Sequence, residues 1–112
     1  MQTRTERIQK DIETLAQFTS TPGKGVTRSS YSKEDTMAKD YLTGEMKKIG
    51  LEIYEDGFGT LFGRREGTMK DAPVVMLGSH YDSVVNGGAF DGVAGSVSAL
   101  EVMRVLLSLI HI

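Results

Sequence analysis

A short apolar run in the middle of the chain, APVVMLG at residues 72–78, limits the possible folds more than any other segment. The run is continuously apolar, is rich in valine and is bounded by Pro73 and Gly78. Runs of this kind are typical of an interior strand in a sheet that is covered on both faces. The sequence therefore predicts the α/β class, with helices packed on a sheet.

Three helices are predicted from apolar residues that recur at helical spacing. The first covers residues 3–18 and has its apolar residues on one face. The second begins after Ser32, where SKED has the Ser-x-x-acid form of a capping box, and it ends at Gly50, which can adopt the left-handed conformation. The third runs from residues 91–92 and is apolar on nearly every face beyond residue 102, which is typical of a buried helix.

A β-hairpin is predicted between the second helix and the apolar run. Residues 51–56, LEIYED, place apolar and acidic side chains on opposite faces, which indicates a half-buried strand. Residues 60–65, TLFGRR, follow the turn DGFG and are the expected partner strand. No repeat, low-complexity tract or flexible linker interrupts the sequence, so residues 1–112 are interpreted as a single domain.

The composition argues against several classes of function. The 112 residues carry a formal net charge of -2, so no surface for nucleic acid is expected. There is no cysteine, so any metal ion must bind to histidine and carboxylate. The first 18 residues contain no apolar run like that of a signal peptide, which favours the cytoplasm. The apolar C-terminal stretch VMRVLLSLIHI is too short to cross a bilayer, and Glu101 and Arg104 interrupt the apolar pattern, so no membrane contact is expected.

The residues that could perform chemistry are concentrated directly after the apolar run, in LGSHYDSVVNGGAFDGVAG. Ligands gather at the carboxyl ends of strands in α/β sheets, which is where His80 and Asp82 are expected. His80 could bind a metal ion through one ring nitrogen while Asp82 accepts a hydrogen bond from the other. Asp91 follows across a loop that contains Gly87 and Gly88, at the start of the third helix. These residues together indicate a metal site, although separately they also fit a hydrogen-bonded surface pair, a helix cap and a plain turn.

Other chemistries fit the same residues less well. A phosphate-binding loop needs free N–H groups at the helix start and commonly a lysine, whereas an acid occupies that place here. A serine nucleophile on a sharp turn needs the frame Gly-x-Ser-x-Gly, which surrounds neither Ser79 nor Ser96. His111 lies in the apolar tail and is not expected to act as a ligand or base.

Three segments of the chain resemble a known family. GSHYDSVVNGGAFDGVAG resembles the Gly-Ser-His-x-Asp-Ser/Thr-Val…Gly-Gly-x-Phe-Asp-Gly-x-x-Gly segment of the N-carbamoyl-L-amino-acid hydrolase and allantoate amidohydrolase family. This family is a branch of the di-metal aminoacylase and exopeptidase superfamily. Upstream, GVTRSSYSKED is similar to the family's Gly-Val-Thr-Arg…Tyr-Ser segment, and GLEIYEDGFGTLFGRREG to its strand pair. The similarity extends over residues 20–106.

The resemblance implies the N-terminal part of a zinc-exopeptidase-like catalytic domain, with helices packed on a mixed sheet. It also implies that His80 binds one metal ion, that Asp91 bridges two, and that Asp82 contributes to catalysis by orienting His80. Two divalent ions, whether zinc, manganese, cobalt or nickel, would occupy an intact site. The compact NGGAFDG favours hydrolysis of the ureido C–N bond of N-carbamoyl-L-amino acids or allantoate over the reactions of dipeptidases and deacylases.

Length is the main departure from the family, whose members are several times longer. Their paired glutamates, two further ligand histidines, substrate-binding Arg and Asn residues and the lid domain that forms the dimer would lie downstream. The chain is therefore expected to be a partial catalytic domain, inactive alone, with residues 107–112 as a candidate non-native end.

The partners expected are a small-molecule substrate in the intact parent, a parent homodimer, and self-association of this chain. Thr60 and Ser96 replace the usual Asn and Val, and neither is expected to touch a metal ligand. Two alternatives stay open: a fragment of a related dinuclear metallopeptidase or aminoacylase, and a metal-free, self-associating structural module.

Overall fold

The structure, a computed structural model, describes residues 2–110 and contains three helices and one small sheet within that range. The elements in chain order are α1 (Thr5–Ala16), α2 (Lys33–Lys48), β1 (Glu52–Glu55), β2 (Leu61–Arg64) and α3 (Val93–Ile110). All three predicted helices and the predicted hairpin are therefore confirmed.

The core is formed where the three helices meet. Its fully buried apolar residues come from every helix: Leu15, Ala38, Leu42, Val93, Val97 and Leu100. The capping box before α2 is present in a modified form. The hydroxyl of Ser32 accepts a hydrogen bond from the amide of Asp35, while the carboxylate of Asp35 accepts one from the amide of Tyr31 rather than from that of Ser32. Gly50 has a φ of 78° after the end of α2, so it adopts the left-handed conformation that was predicted.

The hairpin packs against α2 because of a glycine. Strands β1 and β2 are antiparallel, with Glu52 opposite Arg64 and Glu55 opposite Leu61. A Cβ atom at Gly63 would overlap the sulfur of Met46 in α2. The absence of a side chain at this position therefore allows the hairpin to lie close to the helix.

The mixed sheet is the prediction that the structure contradicts. Within residues 2–110 the only sheet has two strands, β1 and β2, and residues 72–78 form no regular element. The run is exposed, with Val74 at 64% and Val75 at 89% of their full accessible surface. A strand needs a neighbour for its N–H and C=O groups, and no strand in the described residues lies beside this run to supply one.

Charged side chains are buried between α1 and α3. Arg104 of α3 contacts the carboxylates of Asp11 in α1 and Glu45 in α2. Glu101, one turn earlier in α3, accepts two hydrogen bonds from Arg7 and one from the amide of Arg4. Glu101 and Arg104, which interrupt the apolar pattern of the sequence, therefore add ion pairs to the apolar contacts that hold α3 against the other helices.

The outer face of α3 differs from the expectation of a helix buried on all sides. Leu106, Leu109 and Ile110 are each about half exposed. By length and composition alone α3 could cross a membrane, but the buried ion pairs in its middle are those of a helix in the core of a protein. His111 and the end of the tail lie outside the described residues, so the expectations about them are not addressed.

Candidate metal centre

The three predicted site residues lie together at the start of α3. The Nδ1 atom of His80 is 3.0 Å from Oδ1 of Asp82, and the Nε2 atom on the other side of the ring is 3.3 Å from Oδ1 of Asp91. Asp91 precedes the first residue of α3 by two positions. The imidazole thus lies between two carboxylates that are nine residues apart in the sequence.

The hydrogen bonds determine which ring nitrogen of His80 carries the proton. The acceptors near Nδ1 are the carboxylate and the main-chain oxygen of Asp82, so Nδ1 must be the donor. In the neutral ring the lone pair of Nε2 then points toward the carboxylate of Asp91. A metal ion held between these two acceptor atoms would make their contact attractive.

The distance between these two acceptor atoms is suitable for a metal ion. A tetrahedral zinc ion with bonds of about 2.0–2.2 Å to nitrogen and oxygen keeps neighbouring ligand atoms about 3.3–3.6 Å apart. Nε2 of His80 and Oδ1 of Asp91 are 3.3 Å apart. Both side chains are exposed, and they border an open cleft of about 140 Å³ that is also lined by Asp82 and Gly88. The donor atoms therefore fit one edge of a metal coordination sphere.

The set of ligands is incomplete within the described part of the chain. No group of three or more His, Cys, Asp or Glu residues in positions 2–110 is arranged to hold a metal ion. Asp82 contacts the Nδ1 side of the imidazole, so it is not placed to bind an ion held between Nε2 of His80 and Asp91 on the other side of the ring. Only His80 and Asp91 remain as candidate direct ligands.

Contacts with the first turn of α3 determine the position of His80. Gly92 has a φ of 69°, and a Cβ atom there would overlap the imidazole ring. Gly95 allows the same close approach to Ser79. The hydroxyl of Ser96 donates a hydrogen bond to the main-chain oxygen of His80 at 3.1 Å. The expectation that Ser96 does not touch a ligand residue is therefore wrong, because the hydroxyl adds a contact that valine could not make.

Asp91 does not act as a helix cap through its side chain. Its main-chain oxygen accepts a hydrogen bond from the amide of Val93 at 2.7 Å, and its side chain is 79% exposed and faces His80. The carboxylate of Asp91 is therefore not used to cap the helix and lines the cleft instead.

Two residues that sequence reasoning did not select support the site. The side chain of Tyr81 points into the protein, and burial, reinforced by nearby Asp35 and Glu55, raises the pKa of its hydroxyl to about 12. Arg28 is almost completely buried and donates a hydrogen bond to the main-chain oxygen of Tyr81. The sequence feature that could have pointed to Arg28 is the similarity of its GVTR segment to the family. That similarity does not indicate what the side chain does.

Comparisons with known proteins agree on one group of enzymes. The model of Peptidase family M28 matches residues 60–110. An N-carbamoyl-L-amino-acid amidohydrolase of Paenarthrobacter aurescens is 50% identical over 91% of this chain and 24% of its own length. A ureidoglycolate hydrolase of Oryza sativa subsp. japonica is 42% identical over 88% of this chain and 20% of its own length. Allantoate amidohydrolases also match.

Solved structures of amidases share the fold of the described residues. A hydantoinase/carbamoylase family amidase from Burkholderia ambifaria superimposes with a TM-score of 0.89 and 33% identity, covering 96% of this chain and 26% of that protein. The chain spans about a quarter of the length of the curated relatives it matches. The match corresponds to the N-terminal part of their catalytic domain.

Proposed function

The chain belongs to the hydantoinase/carbamoylase family of amidohydrolases, and from that premise we propose that it forms part of the metal site of an enzyme that hydrolyses a ureido C–N bond. The observation that carries the proposal is the 3.3 Å distance between two acceptor atoms, Nε2 of His80 and Oδ1 of Asp91, which equals one edge of a metal coordination sphere. A family relationship alone would not require those atoms to face each other. Their geometry supports metal binding at this edge.

In this proposal each of the three residues has a distinct role. His80, through Nε2, and Asp91 would hold the divalent ions, His80 one of them and Asp91 both, and the ions would be zinc, manganese, cobalt or nickel. Asp82 holds the proton on Nδ1 of His80, fixes the orientation of the ring and makes Nε2 a stronger donor to a metal. When bound, the ions would polarise the substrate carbonyl and lower the pKa of a bound water.

The names of the relatives support the proposed substrate class. Those relatives are N-carbamoyl-L-amino-acid amidohydrolases, allantoate amidohydrolases and ureidoglycolate hydrolases, whose substrates share a terminal ureido group. Water would add to the ureido carbonyl and the C–N bonds of that carbon would break. For an N-carbamoyl amino acid the products are the amino acid, carbon dioxide and ammonia. The residues that bind the rest of the substrate and move the proton would be supplied outside this chain.

A second candidate function is peptide or acyl-amino-acid hydrolysis at the same metal site. It is favoured by the match of residues 60–110 to Peptidase family M28. The two candidates make different demands on the substrate, because only the first requires a terminal carbamoyl group. A third possibility, a metal-free structural module, is distinguished by metal analysis of the purified protein.

The test uses a protein that carries this sequence together with the remaining site residues. Purified protein is analysed for metal content and assayed with N-carbamoyl amino acids, allantoate, ureidoglycolate and dipeptides. We expect ammonia release from at least one ureido compound and loss of both activity and one metal equivalent in His80→Ala. A control variant, Ser98→Ala in the exposed part of α3, should keep both. Full activity of His80→Ala would rule out the metal role, and activity on dipeptides alone would favour the peptidase.

We further propose a cytoplasmic location and a homodimeric parent enzyme. The location is supported by the absence of cysteine from the 112 residues, which suits a reducing compartment. The homodimer of the parent enzyme is what the family resemblance implies, and the exposed apolar side chains of α3 and of residues 74–77 support self-association of this chain. Cell fractionation and light scattering of the parent enzyme test the two proposals separately.

A further inference from the structure

The segment GVTR at residues 25–28 ends in a buried arginine whose position has no role in the proposed chemistry. Arg28 is 1% exposed and is the largest fully buried side chain of the described residues. Its guanidinium group donates hydrogen bonds to three main-chain oxygens, those of Leu15, Phe18 and Tyr81, at 2.7, 2.9 and 2.6 Å. Leu15 lies in the last turn of α1 and Phe18 two residues after its end, and Tyr81 lies between the site residues His80 and Asp82.

The main chain of Arg28 is attached to the same loop. Its amide donates to the hydroxyl of Ser83 at 2.9 Å, and its carbonyl oxygen accepts from the amide of Ser83 at 2.8 Å. Arg28 therefore binds the residues on both sides of Asp82, Tyr81 through its side chain and Ser83 through its main chain. Further along, Val26 and Gly87 form an antiparallel bridge, with their amides and carbonyls paired at 2.9 and 2.8 Å.

The charge of Arg28 is used differently from that of the other buried arginine. Arg104 forms ion pairs with Asp11 and Glu45, whereas none of the ion pairs within residues 2–110 includes Arg28. Burial lowers the pKa of Arg28, and the more distant carboxylates of Asp35 and Asp82 oppose that shift. A buried cation that binds only carbonyl oxygens is costly to desolvate, and it recovers less energy than one paired with a carboxylate. Stability alone is therefore a poor reason for an arginine at this position.

We propose that Arg28 is a positioning residue for the metal site, which fixes the main chain at Tyr81 and Ser83 so that Asp82 meets Nδ1 of His80. The inference rests on the proposed function, because the orientation of His80 matters only if Nε2 binds a metal ion. Arginine suits this role because its planar group has N–H donors in fixed directions, so that one side chain can connect α1 to the site loop. Lysine could reach one of these oxygens but could not bond to all three in the same geometry.

The experiment uses the full 112-residue chain with Arg28→Met and Arg28→Lys. Arg104→Met serves as the matched control, since it removes a buried arginine that does not contact the site loop. The chain has two histidines, so the imidazole resonances of His80 can be assigned in ¹⁵N–¹H spectra by comparison with His80→Asn. Spectra are recorded without metal at one pH, and zinc is then titrated by calorimetry.

We expect the Arg28 variants to lose the tautomer signature of a protonated Nδ1 and to bind zinc roughly 10- to 100-fold more weakly, the usual loss for a residue that orients a ligand. Arg104→Met should lower the melting temperature and leave both readouts at their wild-type values. A folded Arg28→Met chain with wild-type imidazole resonances and zinc affinity within twofold overturns the inference.

A milder variant keeps the inference testable if the Arg28 variants do not fold. Ser83→Ala removes a hydroxyl that accepts a hydrogen bond from the amide of Arg28 and donates one to the carbonyl oxygen of Val26. It should shift the His80 resonances in the same direction, and unchanged resonances would count against the positioning role. Failure of the wild-type chain to bind zinc would contradict the proposed function, while the resonances of His80 in the metal-free chain would still decide the role of Arg28.

Discussion

The imidazole ring of His80 lies against the Cα atom of Gly92, so closely that a Cβ atom at position 92 would sit 2.6 Å from Nε2 and overlap two other ring atoms. Gly92 also has a φ of 69°, in the left-handed region that side chains other than glycine rarely adopt. The glycine between Asp91 and α3 therefore serves two purposes. It turns the chain into the helix, and it leaves the space that the imidazole occupies.

Gly92→Ala is expected to displace His80 and weaken metal binding by at least about tenfold, as other losses of ligand orientation do. The left-handed backbone should in addition destabilise the fold by roughly 1–2 kcal/mol. Zinc titration and urea unfolding measure the two effects. Gly44→Ala is the control, because Gly44 lies inside α2 with no atom near its added Cβ, and it should gain about 0.5–1 kcal/mol. Wild-type zinc affinity in Gly92→Ala would show that the close contact does not determine the ring position.

Asp82→Asn should reduce metal affinity or activity of an intact parent enzyme by roughly 10- to 100-fold. Asparagine keeps the size of the side chain and can still accept a hydrogen bond from Nδ1, but it removes the negative charge that makes the imidazole a stronger ligand. Metal affinity and activity are measured in this variant and in the control Asp40→Asn, which changes an exposed carboxylate of α2. An effect no larger than that of the control would mean that Asp82 does not orient His80.

The elements predicted correctly from the sequence are those whose signals are local. The Ser32 cap, the Gly50 terminus and the spacing of Leu15 with its neighbours depend on residues within a few positions, and all three agree with the structure. The prediction that residues 72–78 form a strand of a sheet was wrong. A strand needs a partner strand, and the described residues provide none beside this run.

The site was predictable in its residue types and less so in its supports. His80, Asp82 and Asp91 lie within 12 positions and follow a recognisable spacing, so their proximity could be expected. The contact of Arg28 with the carbonyl of Tyr81 joins positions 53 residues apart. Hydrogen bonds from a side chain to a distant main chain leave no periodic pattern, so such a contact cannot be read from a single sequence.

Stability should fall in acid because of Glu101. Its hydrogen bonds from Arg7 and from the amide of Arg4 hold the pKa of the carboxyl below its usual range, despite the opposing effect of burial. A lowered folded-state pKa contributes stability that is complete above the unfolded pKa, about 4.3, and that is lost as pH falls through the lower folded value. Urea unfolding between neutral pH and pH of about 3 should therefore show decreasing stability below about pH 4.3.

Glu101→Gln isolates that contribution. We expect it to lose on the order of 1.5–3 kcal/mol at neutral pH, since it weakens hydrogen bonds between charged groups, and to show a shallower decline in acid. Glu52→Gln changes an exposed carboxylate in β1 and should keep the wild-type pH dependence. An equally steep acid decline in Glu101→Gln would assign the effect to other carboxylates.

Self-association of the chain is expected through one apolar surface, formed by residues 74–77 and the outer face of α3. Val75 and Leu106 on it are 89% and 48% exposed, and a shallow cleft between the two segments is lined by Met76 and Val102. Exposed apolar surfaces of this kind promote association, because fully burying one large aliphatic side chain contributes about 1.5–3 kcal/mol. Light scattering should show oligomers whose fraction increases with concentration.

Two lysines should reverse that association. Val75→Lys combined with Leu106→Lys places charges on both segments of the surface, so the variant should be monomeric. Phe58→Lys, in the turn between β1 and β2, changes an apolar residue that is 80% exposed but lies outside the surface, and it should leave the oligomers intact. A wild-type chain that stays monomeric at high concentration would contradict the expectation.

The 112-residue chain by itself should bind a divalent ion weakly and show no turnover. It offers two direct ligands, His80 and Asp91, whereas a catalytic zinc site usually has three protein ligands. Two ions in the same cleft would repel each other, and the only further carboxylate that lines the cleft in the described residues, Asp82, lies on the Nδ1 side of His80. No general base is available either, because Asp82 is bonded to His80.

Calorimetric titration with zinc and with manganese should therefore fit at most one ion per chain, and His80→Ala should abolish that signal. Assays of ammonia release from N-carbamoyl amino acids and allantoate should give no more product than the buffer alone. The concentration of chain is varied in both measurements, because association could bring two half-sites together. Tight binding of two ions or measurable hydrolysis, especially if either increased with chain concentration, would show that copies of the chain complete a site that a single copy lacks.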